Sequence, residues 1–385
     1  MVRAVLLVAL VATLLVPAAG ATANLQLGIA DGGGAYFDDP ESFYPTLAEL
    51  HAKVLRVQLH WGGPLGVAGE RPQAATDPAD PAYDWSTYDD IVLNAQAYGI
   101  KILFTIFGTP GWANGGRGQT HAPQNPFDLE AFAYAAAERY SGSYARADGT
   151  VLPAVKLWTA WNEPNLPLGL VPQWTKVGGK WRIQSAIDYA HICNAVADGV
   201  HETLLAGEQV ACGDTAPRGN NAATSDRPTT SPIAFIEAMK KAGATGFDAY
   251  AHHPYPSDPQ ETPTTRPKGA TAVTFGNLST LIATVTELWG KKPIWIDEYG
   301  YQTNPPDRLL GVSPADQARY LTQSVAIARA SPRVTMLLWF LLRDETVIGG
   351  WQSGLETASG AKKPAFAAFA TAAAQSSGGS AATSP

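Results

Sequence analysis

Residues 54–107 hold the stretch that decides the fold. A β-rich run, VLRVQLH (Val54–His60), is followed by a helical pattern, STYDDIVLNAQA (Ser86–Ala97), and then by a second β-rich run, ILFTIF (Ile102–Phe107). The same alternation continues on both sides, with β-rich runs at Leu25–Ala30, Val155–Thr159, Gln209–Gly213, Phe247–His252, Pro293–Asp297 and Thr335–Leu341. Alternating strands and helices pack as a parallel sheet, and eight such units over about 360 residues are typical of a closed barrel. The sequence therefore predicts an α/β fold, a single-domain (β/α)8 TIM barrel.

An open doubly wound sheet is the alternative that this alternation leaves. It would need a glycine-rich phosphate turn after a strand, and Gly32-Gly33-Gly34 lacks that spacing. The helical patterns lie at Tyr44–Ala52, Ser86–Ala97, Leu129–Tyr144, Ala186–Leu205, Ile233–Lys241, Leu278–Leu288, Ala315–Ala330 and Lys363–Ala374. Ser231-Pro232 and Ser313-Pro314 predict capped helix starts, and Gly243 and Gly290 predict helix ends.

Composition excludes several classes of function. The chain has 385 residues, of which 45% are hydrophobic and 16% charged, and its 27 Lys and Arg against 34 Asp and Glu leave a net charge of −7. No basic run is present, so binding to nucleic acid or to an anionic membrane surface is not expected. The oligomeric state is left open by the sequence.

The first 23 residues predict a secretory signal peptide. Arg3 precedes an apolar run from Ala4 to Val16, and small residues ending at Ala21-Thr22-Ala23 form a cleavage site. The run is shorter than the ~20 residues of a membrane anchor. We therefore expect a signal peptide at 1–23, a barrel domain at 24–374, a disordered tail at 375–385, and a secreted (extracellular or periplasmic) mature protein. Export would permit a disulfide between Cys193 and Cys212, although two buried thiols fit the sequence equally well.

The segments that follow the predicted strands are long and carry five of the tryptophans: Trp61, Trp112, Trp174, Trp181 and Trp351. In a TIM barrel these segments lie at the C-terminal end of the strands, where active sites are built. Indole faces stack on the apolar faces of sugar rings, whereas a single Trp more often packs in the core. Several at one end favour a carbohydrate cleft.

Two glutamates end predicted strands. Glu163 lies in Trp161-Asn162-Glu163-Pro164-Asn165 after the fourth strand, and Glu298 lies in Asp297-Glu298-Tyr299-Gly300 at the end of the seventh. Either Glu alone is equally well a capping or ion-paired residue. Facing each other across a ligand, one protonated carboxyl would donate to the leaving oxygen, while the other carboxylate would attack the anomeric carbon or activate water. That pair predicts hydrolysis of a glycosidic bond, and the expected partner is an oligo- or polysaccharide.

With these motifs the chain resembles the retaining glycoside hydrolases of clan A over nearly all of its mature length. The resemblance implies Glu163 as acid/base, Glu298 as nucleophile and Asn162 as a hydrogen-bond partner of the substrate's 2-hydroxyl. No histidine ends the third strand at Phe107-Gly108, so the likeness is nearer to family thirty-nine than to family five. No motif selects one sugar, and no cofactor or metal is expected, because two carboxylates complete the acid–base cycle.

Further residues are predicted to support the pair. Arg56 alternates with the Leu55 and Val57 face of its strand and is expected inside the barrel, where it resembles the clan's arginine beside the nucleophile; its alternative is a structural ion pair. His253 and Tyr255 match an arrangement in which the phenol bonds the nucleophile, although the adjacent His252 leaves the histidine open.

Trp339 on the eighth strand is expected to form the floor beneath the sugar. The resemblance implies a non-proline cis peptide at Trp339–Phe340, and the alternative is a core tryptophan with a trans bond.

The sequence argues against two other classes of function. A carbohydrate-binding barrel without catalysis usually lacks one of the carboxylates, and this chain has both. A metal-dependent hydrolase would need ligand sets at strand ends, and His60, His252 and Asp214 show no familiar spacing.

Overall fold

The computed structural model describes residues 25–377. The predicted signal peptide lies outside the described residues, as do positions 378–385 of the predicted tail. The last helix runs from Pro364 to Ser377, three residues past the predicted end of the domain at 374. Over the described range no helix is long and apolar enough to cross a membrane.

Eight parallel strands close into a barrel within residues 25–377, in the spatial order β1-β10-β9-β8-β7-β4-β3-β2. The strands are β1 (Gln26–Ala30), β2 (Val54–His60), β3 (Lys101–Phe107), β4 (Leu157–Ala160), β7 (Gln209–Thr215), β8 (Ala249–His252), β9 (Ile294–Tyr299) and β10 (Val334–Trp339). Two more, β5 (Trp174–Val177) and β6 (Lys180–Ile183), form a separate antiparallel hairpin after β4. The predicted TIM barrel is confirmed, and the hairpin was not predicted.

The helices that the sequence predicts are all present, with bounds that move by a few residues. They are α2 (Pro40–Glu49), α3 (Ser86–Ala97), α5 (Pro126–Arg139), α6 (Gln184–Glu202), α7 (Pro232–Lys241), α8 (Leu278–Trp289), α9 (Pro314–Ala330) and α10 (Pro364–Ser377). Two short helices, α1 (Gly32–Phe37) and α4 (Gly111–Asn114), lie in loops after strands. The Ser313 side chain caps α9 by accepting from the Asp316 N–H, whereas Ser231 makes no such bond to α7.

Two apolar cores lie on the two faces of the barrel wall. The inner core is small, and the outer core, between strands and helices, is much larger. On β2 the outer core contains Leu55, Val57 and Leu59, so the alternate residues Arg56 and Gln58 face inwards. The predicted alternation of β2 is confirmed.

Register shifts interrupt the barrel on one side. Between Cys212 and Thr215, β7 has one residue more than the β8 segment that it pairs with, and between Ile296 and Tyr299, β9 has one more than β10. Such β-bulges turn neighbouring side chains to the same face. By contrast, β2 and β3 pair over seven residues without a shift.

Cys193 on α6 and Cys212 on β7 form a disulfide, with Cα atoms 5.8 Å apart. This decides the alternative that the sequence left open. The bond ties the outer helix to the strand that carries the first bulge.

Candidate active site

Glu163 and Glu298 lie together at the C-terminal ends of the strands. One carboxylate oxygen of each is within 4.8 Å of the other, and His253 lies within the same distance of both. Glu163 follows β4 with a positive φ of 43°, and its backbone N–H donates to the carbonyl of Asp214, 2.9 Å away. Two strand ends that are 135 residues apart in sequence thus present their carboxylates to one space.

Arg56 is the cation at the centre of the site. Its Nη1 donates to Glu298 Oε2 at 2.8 Å, and its Nη2 donates to Asn162 Oδ1 at 2.8 Å and to Asp214 Oδ2 at 3.1 Å. Its Nε lies 3.1 Å from Asp297 Oδ2. The guanidinium is 4% exposed, and its fixed fork suits several carboxylates at once. The sequence therefore placed Arg56 beside Glu298 correctly.

His253 and Tyr255 contact one glutamate each. His253 Nδ1 is 3.1 Å from Glu163 Oε1, and the Tyr255 hydroxyl donates to Glu298 Oε1 at 3.0 Å. His252 faces the other way, with its ring nitrogens 2.9 Å from Thr215 Oγ1 and 3.1 Å from the Val273 carbonyl. The ambiguity between the two histidines is resolved in favour of His253, because residues 252 and 253 point to opposite faces.

Asp214 and Asp297 belong to the site, although the sequence reasoning did not assign them to it. Asp214 Oδ1 is 2.8 Å from His253 Nε2, and Asp297 Oδ1 is 3.5 Å from the same nitrogen. Both carboxylates are fully buried. Asp214 has a positive φ of 47° and stands in the bulge of β7, while Asp297 and Glu298 are neighbours in the bulge of β9. Asp297 could have been found from its place in the Asp-Glu-Tyr-Gly motif.

The buried charges shift one another's pKa values. Burial alone would lower the pKa of His253, but the charges of Glu298 and Asp214 raise it well above its usual value. Burial, together with the charge of Asp297, raises the pKa of Asp214 to about 7. Burial would also raise the pKa of Asp297, but Arg56 and His253 lower it. The charges around His253 thus favour its imidazolium form, in which both ring nitrogens carry a proton.

Two sets of three side chains have the spacing of metal ligands among the described residues: Glu163, His253 and Glu298, and Asp214, His253 and Asp297. Arg56 lies against Asp214, Asp297 and Glu298 at 2.8–3.1 Å. A cation bound to either set would be repelled by this guanidinium and by the imidazolium of His253. The donor set therefore does not fit a metal ion.

The prediction for Trp339 is wrong. Its indole is fully buried in the outer core, packs against Tyr299 and donates to the carbonyl of Ser353 at 2.8 Å. On β10 it is Met336, Leu338 and then Phe340 that turn inwards. The non-proline cis peptide lies at Phe340–Leu341, one residue later than expected.

A cleft passes on both sides of Glu298. The larger compartment, about 710 Å³, also contains Arg56, Gln58, Tyr36 and Phe340 in its wall. The smaller compartment, about 330 Å³, also contains Glu163, Arg218, Tyr255 and Trp351. Glu298 is thus reached from both compartments, and Glu163 from the smaller one.

Two of the five tryptophans in the long loops, Trp351 and Trp61, have different surroundings. Trp351 lies beside Tyr255 and Phe340, with ring centroids 5.3 and 5.2 Å away. Trp61 is fully buried and packs on Trp112. Of these two, Trp351 lies in the wall of the smaller compartment with both glutamates, and Phe340 lies with Glu298 in the wall of the larger one.

Solved structures with a similar fold include glycoside hydrolases. A family 39 glycoside hydrolase from Bacteroides cellulosilyticus superposes over 91% of this chain and 64% of its own, with a TM-score of 0.63 and 18% identity. A glucosidase from Croceicoccus marinus gives a TM-score of 0.66 at 14% identity over 93% and 68% of the two chains. A β-glucosidase from Exiguobacterium marinum gives 0.59 at 14% over 91% and 98%.

These similarities confirm the barrel fold that the resemblance to clan A implied. At such identities they concern the fold alone. The chain spans just under two thirds of the length of the family 39 structure. No protein-family model matches the sequence, and no curated protein is significantly similar to it.

Proposed function

We propose that the protein is an exported retaining β-glycosidase that hydrolyses O-glycosidic bonds of an oligo- or polysaccharide. The observation that carries the proposal is the pair of carboxylates, Glu163 and Glu298, with oxygens within 4.8 Å of each other at the junction of the two compartments. Retaining enzymes place their carboxyl groups roughly 5–5.5 Å apart, whereas inverting enzymes need about 6.5–9.5 Å. The shorter class fits this site.

The surroundings of each glutamate suit its proposed role. Glu298 receives hydrogen bonds from Arg56 and from Tyr255, which would hold its oxygens in place for attack on the anomeric carbon. Glu163 is 21% exposed at its side chain and faces the smaller compartment, where it would protonate the leaving oxygen and later activate water. Arg56 holds Oδ1 of Asn162, so that the amide nitrogen is left to bond the 2-hydroxyl of the sugar.

Secretion is part of the proposal. Its support is the predicted signal peptide, together with the disulfide between Cys193 and Cys212, because disulfides persist mainly in oxidising compartments. The mature enzyme would work without a cofactor and bind neither nucleic acid nor membrane.

The test separates the two glutamates. On aryl β-glycosides, Glu298→Ala should abolish turnover, since no glycosyl-enzyme bond can form. Glu163→Ala should retain activity on substrates with good leaving groups and lose it on natural glycosides, and azide should restore part of it with retained configuration. Glu237→Gln, exposed on α7, is the matched control. Intact hydrolysis of natural glycosides by Glu163→Ala would refute the roles, and binding of sugars by the unmodified protein without any hydrolysis would indicate a non-catalytic carbohydrate-binding barrel.

A further inference from the structure

Asp214 connects the surroundings of the two glutamates. Its side chain lies between two cations: Oδ1 is 2.8 Å from His253 Nε2, and Oδ2 accepts from Arg56 Nη2 at 3.1 Å. Its backbone carbonyl accepts the N–H of Glu163 at 2.9 Å. One residue therefore contacts the main chain of Glu163 and the two side chains that bond Glu163 and Glu298.

The local backbone shows that this placement is specific. Asp214 has a positive φ of 47°, a region that non-glycine residues seldom adopt. The preceding Gly213 has a φ of 105°, and its N–H donates to the Tyr189 hydroxyl at 2.6 Å. A Cβ on Gly213 would lie 2.3 Å from the ring of Tyr250. The bulge is thus held from two sides, and it turns the carboxylate of Asp214 into the barrel.

We propose that Asp214 is a positioning residue that acts through His253 on the acid/base Glu163. The chain of contacts runs from Asp214 Oδ1 to His253 Nε2, and from His253 Nδ1 to Glu163 Oε1 at 3.1 Å. Asp214 fixes the plane of the imidazolium, and the imidazolium holds the carboxyl of Glu163 beside the leaving oxygen. This role rests on the proposed function.

Other groups facing His253 do not replace Asp214. Asp297 is farther from Nε2, at 3.5 Å, and its other oxygen faces Arg56. Glu298 is 4.0 Å from Nδ1 and already accepts from Arg56 and Tyr255. Asp214 therefore supplies the shortest contact to the nitrogen opposite Glu163.

The variant that tests this is Asp214→Asn, which keeps the shape and removes the charge. A residue that acts through the acid matters most when the leaving group needs protonation. We expect kcat/KM to fall on the order of ten- to a hundredfold on a phenyl β-glycoside and less than about threefold on the 2,4-dinitrophenyl glycoside of the same sugar. An equal loss on both substrates would indicate a purely structural role and overturn the inference.

A matched control is available at another His–Asp pair. Asp248 contacts His201 at 2.9 Å just before β8, at the opposite end of the barrel. Asp248→Asn should leave the ratio of the two kcat/KM values unchanged. If it changed that ratio as Asp214→Asn does, the effect would not depend on the site and the inference would fail.

A second variant keeps the test decisive if Asp214→Asn does not fold. His253→Gln should show the same dependence on leaving group, and adding Asp214→Asn to it should cause no further selective loss. Absence of that dependence in a folded His253→Gln protein would overturn the inference. Glu163→Ala separates the proposed function from the role of Asp214. If Glu163→Ala shows no dependence on leaving group, the proposed function fails. If Glu163→Ala shows that dependence and Asp214→Asn does not, only the role of Asp214 fails.

Discussion

The two sides of the barrel deliver their polar groups to the site in different ways. On the regular side, β2 pairs with β3 without a register shift, and plain alternation turns one cation, Arg56, inwards. On the bulged side, β7 and β9 each carry an extra residue and bring three carboxylates, those of Asp214, Asp297 and Glu298, to that cation. Regular pairing is sufficient to place one group, whereas two adjacent acids can face one partner only where the ladder is interrupted.

The largest effect is expected from removing Arg56, the cation that β2 turns into the barrel. Arg56→Ala leaves Asp214 and Asp297 buried without it and should lower the free energy of unfolding by about 3–5 kcal/mol, while activity falls below detection. Chemical denaturation and hydrolysis of an aryl glycoside would check both. Arg56→Lys should recover only part of the stability. The lysine restores a positive charge, but its single ammonium group cannot contact three carboxylates as the forked guanidinium does. A stable and active Arg56→Ala protein would show that the cation does not hold the site together.

A second prediction uses pH on the regular side. Asp31 follows β1, and burial raises its pKa from 3.8 to about 6. A carboxyl group with a raised pKa binds its proton more tightly in the folded state than in the unfolded state. The stabilisation that this proton provides is fully present below pH 3.8 and is lost as the pH rises through 6. The free energy of unfolding should therefore decline between pH 4 and pH 7. In Asp31→Asn this decline should be smaller by up to about 3 kcal/mol, as measured by chemical denaturation at both pH values. An unchanged decline would place the titration elsewhere.

A third prediction tests the bulge itself. Gly213→Ala places a Cβ 2.3 Å from the Tyr250 ring, whereas Gly290→Ala, also at positive φ, meets no atom within 4 Å. In both variants an alanine must adopt a positive φ, which is destabilising. We expect Gly213→Ala to lower the free energy of unfolding by about 1–3 kcal/mol more than Gly290→Ala, the usual cost of overpacking. It should also lower kcat, because Asp214 is the next residue. Equal destabilisation of the two variants would mean that the bulge adapts freely.

The smallest effects separate two neighbouring aromatic residues, Trp339 at the end of β10 and Phe340 directly after it. Phe340→Ala should raise KM about fivefold, within the range for one apolar contact, with little change in stability, because Phe340 is partly exposed in the larger compartment. Trp339→Phe should do the reverse, lowering the melting temperature and leaving KM unchanged, since its indole is buried and bonded to Ser353. A raised KM in Trp339→Phe would restore Trp339 to the sugar site.

Much of the fold could be predicted from the sequence because hydrophobic alternation is a local property. The eight β-rich runs and the helical patterns between them have the periods of their elements, and each corresponds to an observed strand or helix. Glu163, Glu298, His253 and Tyr255 were found because they end strands or lie within motifs, and Arg56 was found from the alternation of β2. All five lie together.

Only the tertiary structure decided the remaining features. Whether Trp339 or Phe340 faces inwards depends on how β10 pairs with β1 and β9. That pairing cannot be predicted from the sequence of β10 alone. The same holds for Asp214 and Asp297, which are inside because one extra residue in β7 and in β9 shifts the register against a neighbouring strand. The position of a strand follows from the local pattern of hydrophobic residues. The direction of a side chain at a bulge depends instead on hydrogen bonds to a partner strand that is distant in sequence. The network around the two glutamates therefore exists only once the barrel has closed.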